Sequence, residues 1–247
     1  MKSALLLATA VAALASPALA QNVGSFGAAY QRAEADVAGL EGEADGVVVD
    51  GVVAIPVSAE WTVTLDGDLA FSDSDGDDDT TISGVAHLTR TFGADVRTGG
   101  FVGAADAGGD TAWTVGAEAQ RYLAAATLTG VVAYTTVDDV DVWTVGGDAG
   151  VFIAPNFRLN AGLSYSDLEA DGIGSADAWS YGLGGEHQFA NTPFSLTAGY
   201  TRTDIEDLEV DTFSIGLRYS FGGDLKARDR AGANLTGAGV VGLLSAL

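Results

Sequence analysis

Few side chains of this 247-residue sequence could carry out covalent chemistry. It contains no cysteine and only two histidines, His87 and His187, and no G-x-S-x-G motif is present. Nucleophilic catalysis needs a base such as histidine beside the attacking group, built into a region where a substrate can reach it. Both histidines lie within predicted strands rather than in the acidic loops. We therefore expect no enzymatic activity and no cofactor.

Carboxylates are the most abundant chemically active groups in the chain. Asp and Glu number 34 against 11 Lys and Arg, which gives a formal net charge of -23. Such a charge repels phosphates, so nucleic acid is excluded as a partner. The densest run, DSDGDDD, offers hard oxygen ligands for Ca²⁺, but Gly76 and Gly84 stand where an EF-hand loop does not place them. We expect a solvated acidic loop rather than a metal site; the candidate ligands are Asp73, Asp75, Asp77 and Asp79.

The first twenty residues have the three parts of a secretory signal peptide. Lys2 supplies the positive charge, Ala4 to Ala15 form an uninterrupted apolar stretch, and Ala18-Leu19-Ala20 is a small-x-small cleavage site. Beyond residue 20 no run of 18 apolar residues occurs, so no transmembrane helix is predicted. The sequence predicts export and removal of residues 1–20.

The rest of the chain alternates between apolar and small or polar residues, which is the period of β-strands. In 213–221, Phe213, Ile215, Leu217, Tyr219 and Phe221 oppose Ser214, Gly216, Arg218 and Ser220. This pattern predicts twelve strands, near 24–34, 46–55, 60–72, 80–92, 96–106, 112–122, 126–137, 140–153, 157–166, 178–189, 194–204 and 211–221.

The predicted connections fall into two classes that alternate along the chain. One class is short and holds Pro56, Pro155 and Pro193, whereas the other is acidic, as in SDLEADGIGSAD. Tryptophans begin four of the strands, at positions typical of a membrane–water boundary: Trp61, Trp113, Trp143 and Trp179. Two classes of connection indicate two environments, with short periplasmic turns and longer external loops. Alternation alone also fits a soluble β-sandwich, which stays the alternative fold.

Over residues 24–221 the sequence resembles Gram-negative outer-membrane β-barrel proteins, most of all the small porin-like ones. FSIGLRYSF, residues 213–221, is similar to the last strand of such barrels. The resemblance implies an all-β, transmembrane antiparallel up-and-down barrel of about 12 strands over 21–222, located in the outer membrane, with ten strands left open. It also implies contact with outer-membrane lipid, lipopolysaccharide and the assembly machinery, and leaves a homo-oligomer open. Residues 223–247 form a C-terminal extension, either a periplasmic tail or a lumen plug.

A twelve-stranded barrel has a backbone radius of about 12 Å, which small inward side chains cannot fill. We therefore expect a water-filled channel for passive diffusion of small hydrophilic solutes. The expected pore-lining charges are Asp50, Asp66, Asp68, Glu118, Asp148, Glu186 and Arg218, with Arg97 or Arg121 as further basic candidates. Their acidic excess predicts a preference for cations. The alternative function is a non-conducting structural or surface barrel that serves adhesion.

Overall fold

The computed structural model describes residues 22–37, 39–74, 77–107, 109–170, 172 and 174–235. The predicted signal peptide lies outside these residues. The described chain forms twelve strands: β1 (Val23–Val37), β2 (Leu40–Pro56), β3 (Trp61–Ser74), β4 (Asp77–Phe92), β5 (Val96–Ala107), β6 (Asp110–Tyr122), β7 (Ala126–Val137), β8 (Val140–Ala154), β9 (Phe157–Ala170), β10 (Gly174–Gln188), β11 (Phe194–Ile205) and β12 (Leu208–Phe221). One helix, α1 (Leu225–Ala231), follows.

The strands form one closed antiparallel barrel in which each strand pairs with its neighbours in the sequence. Closure is made by β1 and β12, whose register runs from Gly24 opposite Phe221 to Val37 opposite Leu208. Closure leaves no strand edge with unpaired backbone groups, as a membrane requires. The all-β twelve-stranded barrel predicted from the alternation is confirmed, and the β-sandwich alternative is wrong.

The two faces of the wall have opposite chemistry. Large apolar side chains point outward and are exposed, for example Leu183 and Ile153, at 65% and 63%. Many inward positions are polar and buried, as with Thr64, Thr127 and Ser195, each 0% exposed. A protein surrounded by water has the reverse arrangement, so the outer face is suited to lipid.

The acidic connections are shorter than the sequence predicted. β1 continues to Val37 and β2 begins at Leu40, with Asp36 opposite Glu41 in the ladder, so residues expected in a loop extend the hairpin instead. Backbone pairing continues there because the carboxylates remain in water on both faces of the extension. Between β7 and β8 only the turn of Asp138 and Asp139 remains.

A row of tyrosines marks the outer surface near the acidic end of the barrel. Four tyrosine hydroxyls donate hydrogen bonds of 2.5 to 2.7 Å to an aspartate on an adjacent strand. The pairs are Tyr30 with Asp45, Tyr134 with Asp141, Tyr165 with Asp177, and Tyr200 with Asp211. Each ring lies on the lipid-facing surface while its hydroxyl reaches a charged group. This arrangement is typical of the aromatic girdle at a membrane boundary.

The opposite end carries the short turns, together with Val23, Phe221 and α1. Asp224 caps the start of α1 by accepting a hydrogen bond from the Ala227 amide at 2.8 Å. Within the residues that the structure describes, no helix has the length and apolar character needed to cross a membrane.

Candidate channel lumen

The lumen contains a cavity of about 560 Å³ that lies against one side of the barrel wall. Most of its lining comes from inward residues of β8 to β12, which we call the open half. Many of these residues are small, so much of the space in front of this part of the wall stays empty. They include Gly146, Gly162, Ser164, Ser180, Gly182, Gly184, Thr197, Gly199 and Ser214.

The inward residues of β4 to β7, which we call the packed half, fill the lumen in front of them. Val85, Phe101 and Val131 form one buried apolar cluster, each 3% to 5% exposed. The ring of Phe101 lies 5.4 Å from that of His87, which is also buried. The expectation of small lining residues therefore does not extend to this half, because the side chains here are large enough to meet inside the barrel.

Charged side chains form a chain of alternating sign along the cavity wall. Arg218 on β12 lies between Asp50 on β2, at 2.7 Å, and Glu186 on β10, at 3.6 Å. Glu186 also accepts a hydrogen bond from Ser195 at 2.6 Å and lies 3.4 Å from Arg228 of α1. Each charge is thus close to an opposite one, and this pairing offsets part of the free-energy cost of burying these groups.

Four of the seven predicted lining residues border this cavity: Asp50, Asp148, Glu186 and Arg218. Asp148 on β8 lies 3.9 Å from Arg158 on β9. The cavity wall of the barrel therefore combines three carboxylates with two guanidinium groups, and α1 adds a third.

The other three predicted lining residues lie away from the cavity. The ring of His87 separates Asp66 from Glu118, with Nδ1 at 2.7 Å from Glu118 and Nε2 at 3.2 Å from Asp66. Asp68 accepts a hydrogen bond from Ser83 at 2.5 Å. These carboxylates point inward, but neighbouring side chains bind them within the barrel.

The two further basic candidates face opposite sides of the wall. Arg97 points inward and is 4% exposed, where it donates hydrogen bonds to Tyr122 and Thr89. Arg121 points outward and pairs with Asp95 at 2.7 Å, so its assignment to the lumen is wrong. The reason is the pleat, since Gln120 occupies the inward position next to it.

Two further arginines join these charges: Arg158 was not among the predicted lining residues, and Arg228 was expected in the lumen only if residues 223–247 form a plug. Arg158 precedes Asn160 and Gly162 on the same face, so the alternation itself could have placed it inward. Arg228 belongs to α1, for which the sequence shows no strand pattern and no register. The proximity of Arg228 to Glu186 is visible only in the three-dimensional structure.

The candidate calcium ligands are not gathered into a site by the residues described. Asp75 and the side chain of Asp77 lie outside those residues. Asp73 is exposed, and Asp79 accepts a hydrogen bond from the amide of Thr80 at 2.7 Å. Over the described part of the chain, no group of three histidine, cysteine or carboxylate side chains could hold a metal ion.

Comparison with known proteins agrees with this architecture. The family model for the outer membrane protein beta-barrel domain matches residues 45–221. The chain therefore belongs to this family of outer-membrane β-barrel proteins. No curated protein sequence matches it.

Solved structures share the fold at low sequence identity. An outer-membrane channel from Pseudomonas putida F1 is 14% identical, with a TM-score of 0.60 over 81% of this chain and 96% of the other. The KdgM porin in complex with disordered oligogalacturonate is 8% identical, with a TM-score of 0.56 over 79% and 99%. The translocator domain of the autotransporter NalP from Neisseria meningitidis is 15% identical, with a TM-score of 0.55 over 81% and 88%.

Proposed function

We propose that this protein is a porin-like channel for the passive diffusion of small hydrophilic solutes, with a preference for cations. The observation that carries the proposal is the 560 Å³ cavity inside a closed barrel whose outer face is apolar. Much of its lining is glycine, serine and threonine, and such a surface stays wet without holding a solute tightly. The protein performs no reaction; it is exported by the signal peptide at residues 1–20 and inserted into the outer membrane.

The preference for cations rests mainly on the acidic hairpins at the external end. Most positive charges there are already paired: Arg32 contacts Glu34 and Glu43, and Arg202 contacts three carboxylates. The carboxylates also crowd one another, since the nearby charge of Asp110 raises the pKa of Asp138 in the adjacent hairpin. A mouth with this excess of negative charge concentrates cations and repels anions.

The cavity itself discriminates less strongly between cations and anions. Its wall carries Asp50, Asp148 and Glu186 against Arg158 and Arg218, and Arg228 of α1 makes the numbers equal. The KdgM porin holds an acidic oligosaccharide. The balanced charges and acidic mouth of this protein favour neutral or cationic solutes instead.

Liposome swelling with neutral sugars of graded size tests the channel. We expect small sugars to enter and large oligosaccharides to be excluded, whereas protein-free liposomes should not swell. A folded barrel, shown by its altered mobility on an unheated gel, that admits no sugar would favour the non-conducting structural or surface role. Reversal potentials across a salt gradient in planar bilayers test selectivity, and an anion preference would contradict the argument from charge.

A further inference from the structure

The segment that follows the last strand crosses the inside of the barrel at the short-turn end. Lys226 at the start of α1 donates its backbone amide to Pro155 in the β8–β9 turn at 3.1 Å. Two residues later, Arg228 reaches Glu186 on β10. Asp229 then accepts a hydrogen bond of 2.5 Å from Thr127 on β7. We call residues 224–235 the terminal segment.

After α1 the terminal segment continues toward the far wall. The carbonyl of Gly232 accepts a hydrogen bond from Thr64 on β3 at 3.0 Å, and that of Asn234 accepts one from Gln120 on β6 at 2.7 Å. Ala233 packs against Val23 on β1 and Ala54 on β2. A short peptide that contacts β1, β2, β3, β6, β7 and β10 must pass across the lumen, because these strands surround it.

The contacts of the terminal segment are buried and specific. Arg228, Asp229, Ala233 and Leu235 are each 2% to 8% exposed. On the wall, Arg97 donates to the carbonyl of Arg230 at 3.1 Å, and Lys226 donates its side-chain ammonium to the carbonyl of Ala124 at 2.7 Å. A solvated tail makes few such contacts, so this segment occupies a defined binding site on the inner wall. We call the wall residues that contact it its seat.

The seat is formed mainly by exchangeable polar contacts. Each hydrogen bond of this kind contributes little net stability, since water replaces the partner when the segment leaves a wet lumen. The buried apolar side chains of the segment are few: Leu225, Ala233 and Leu235, of which Ala233 packs against Val23 and Ala54. The balance favours a seated segment that can be released.

From these contacts we propose that the terminal segment is a built-in plug that closes the periplasmic mouth and opens the channel when it leaves its seat. This inference rests on the proposed channel function. The plug carries three basic side chains, Lys226, Arg228 and Arg230, against the carboxylates of Asp224 and Asp229, so its release removes a net positive charge from the mouth. The open state is therefore both wider and more selective for cations than the closed state.

Single-channel recording in planar bilayers compares the full chain with a variant truncated after Gly223. We expect a several-fold larger conductance and a reversal potential shifted toward cations in the truncated form. Equal conductance and selectivity would overturn the plug while leaving the channel intact. Absence of current in both folded forms would overturn the channel, and the plug with it.

A disulfide provides a reversible test, because the natural chain has no cysteine. The hydroxyl of Thr127 lies 2.5 Å from a carboxylate oxygen of Asp229, so cysteines at these two positions face each other across the contact between the segment and the wall. We expect T127C/D229C to stay closed when oxidised and to conduct after reduction, whereas each single variant ignores the redox treatment. An oxidised, cross-linked form that conducts like the truncated protein would contradict the proposal.

Seating can also be measured without any current. Thr127 is fully covered in the seated state, so the thiol of T127C should react slowly with a water-soluble reagent in detergent micelles. Removing residues 224–247 should raise the rate at least tenfold. Equal rates would show that the segment does not occupy its seat, whatever the conductance experiments give.

A milder variant tests the seat by adding a single methyl group. Gly232 ends α1 at a φ of 93°, where a Cβ atom would strain the backbone and lie 2.8 Å from Arg97. We expect G232A to open more often than the natural protein. Gly93 at the same end has a φ of 65° and lies away from α1, so G93A is the matched control and should gate normally. Equal gating in the two variants would contradict the seat described.

Discussion

The open and packed halves of the barrel share a backbone plan but differ in what they enclose. Both are antiparallel, and both alternate inward and outward residues along every strand. In the open half the inward residues are mostly glycine, serine and threonine, and a cavity remains. In the packed half they include Phe101, His87 and Gln120, which meet inside the lumen. The size of inward side chains therefore decides where a path exists, while the alternation decides only which face is inward.

The largest expected effect comes from filling the open half. Gly162 lines the cavity, and a Cβ atom there meets other atoms only at 3.5 Å or more. A phenyl ring at this position therefore enters the cavity without displacing the wall. We expect G162F to remove most of the conductance in the variant truncated after Gly223, measured in planar bilayers.

The matched control places the same ring on the other face. Gly130 points outward, and a Cβ atom there finds open space. G130F should fold and conduct like its parent. If G162F conducts normally while folded, the path does not run through the open half and the comparison fails.

A smaller effect, on stability rather than current, is expected from hollowing the packed half. Phe101 is 3% exposed, and its truncation leaves a void beside His87 and Val131. F101A should lower the free energy of unfolding by about 3–5 kcal/mol, measured by urea titration in detergent. V102A, at the neighbouring lipid-facing position, should cost clearly less. Equal losses would show that the packed half is not a core.

The smallest effect is expected at the hairpin that joins the two halves. Asp138 has a φ of 47°, which asparagine tolerates well, and repulsion from Asp110 raises its pKa. A raised carboxyl pKa means that stability falls as the pH rises through it, because the folded protein holds this proton more tightly. D138N should therefore raise Tm slightly at neutral pH and leave conductance unchanged. A lower Tm would contradict the repulsion.

The sequence predicted the strands of the barrel wall better than the packing of side chains inside the lumen. Alternation, the positions of Pro56, Pro155 and Pro193, and the tryptophans at strand starts all depend on local geometry, and the twelve strands followed from them. The packed half depends instead on which side chains meet across the lumen, as Phe101 and His87 do. Which side chains meet across the lumen is set by closure of the barrel rather than by neighbours in the sequence.

The same limit applies to charge. Asp66 and Glu118 were expected to line the pore, but their shared contact with His87 joins strands that are far apart in the sequence. Arg121 was misplaced because its neighbour Gln120 holds the inward register. Arg228 was expected in the lumen only under the plug alternative, because no periodicity relates a residue after the last strand to the wall.

The position of α1 directly after β12 also constrains the order of biogenesis. Its binding surface draws on strands from both ends of the sequence, so this surface does not exist until β1 and β12 have joined. Docking of the helix therefore follows the joining of β1 and β12. Resistance of Lys226 and Arg230 to trypsin would report that a newly inserted molecule has completed its ring.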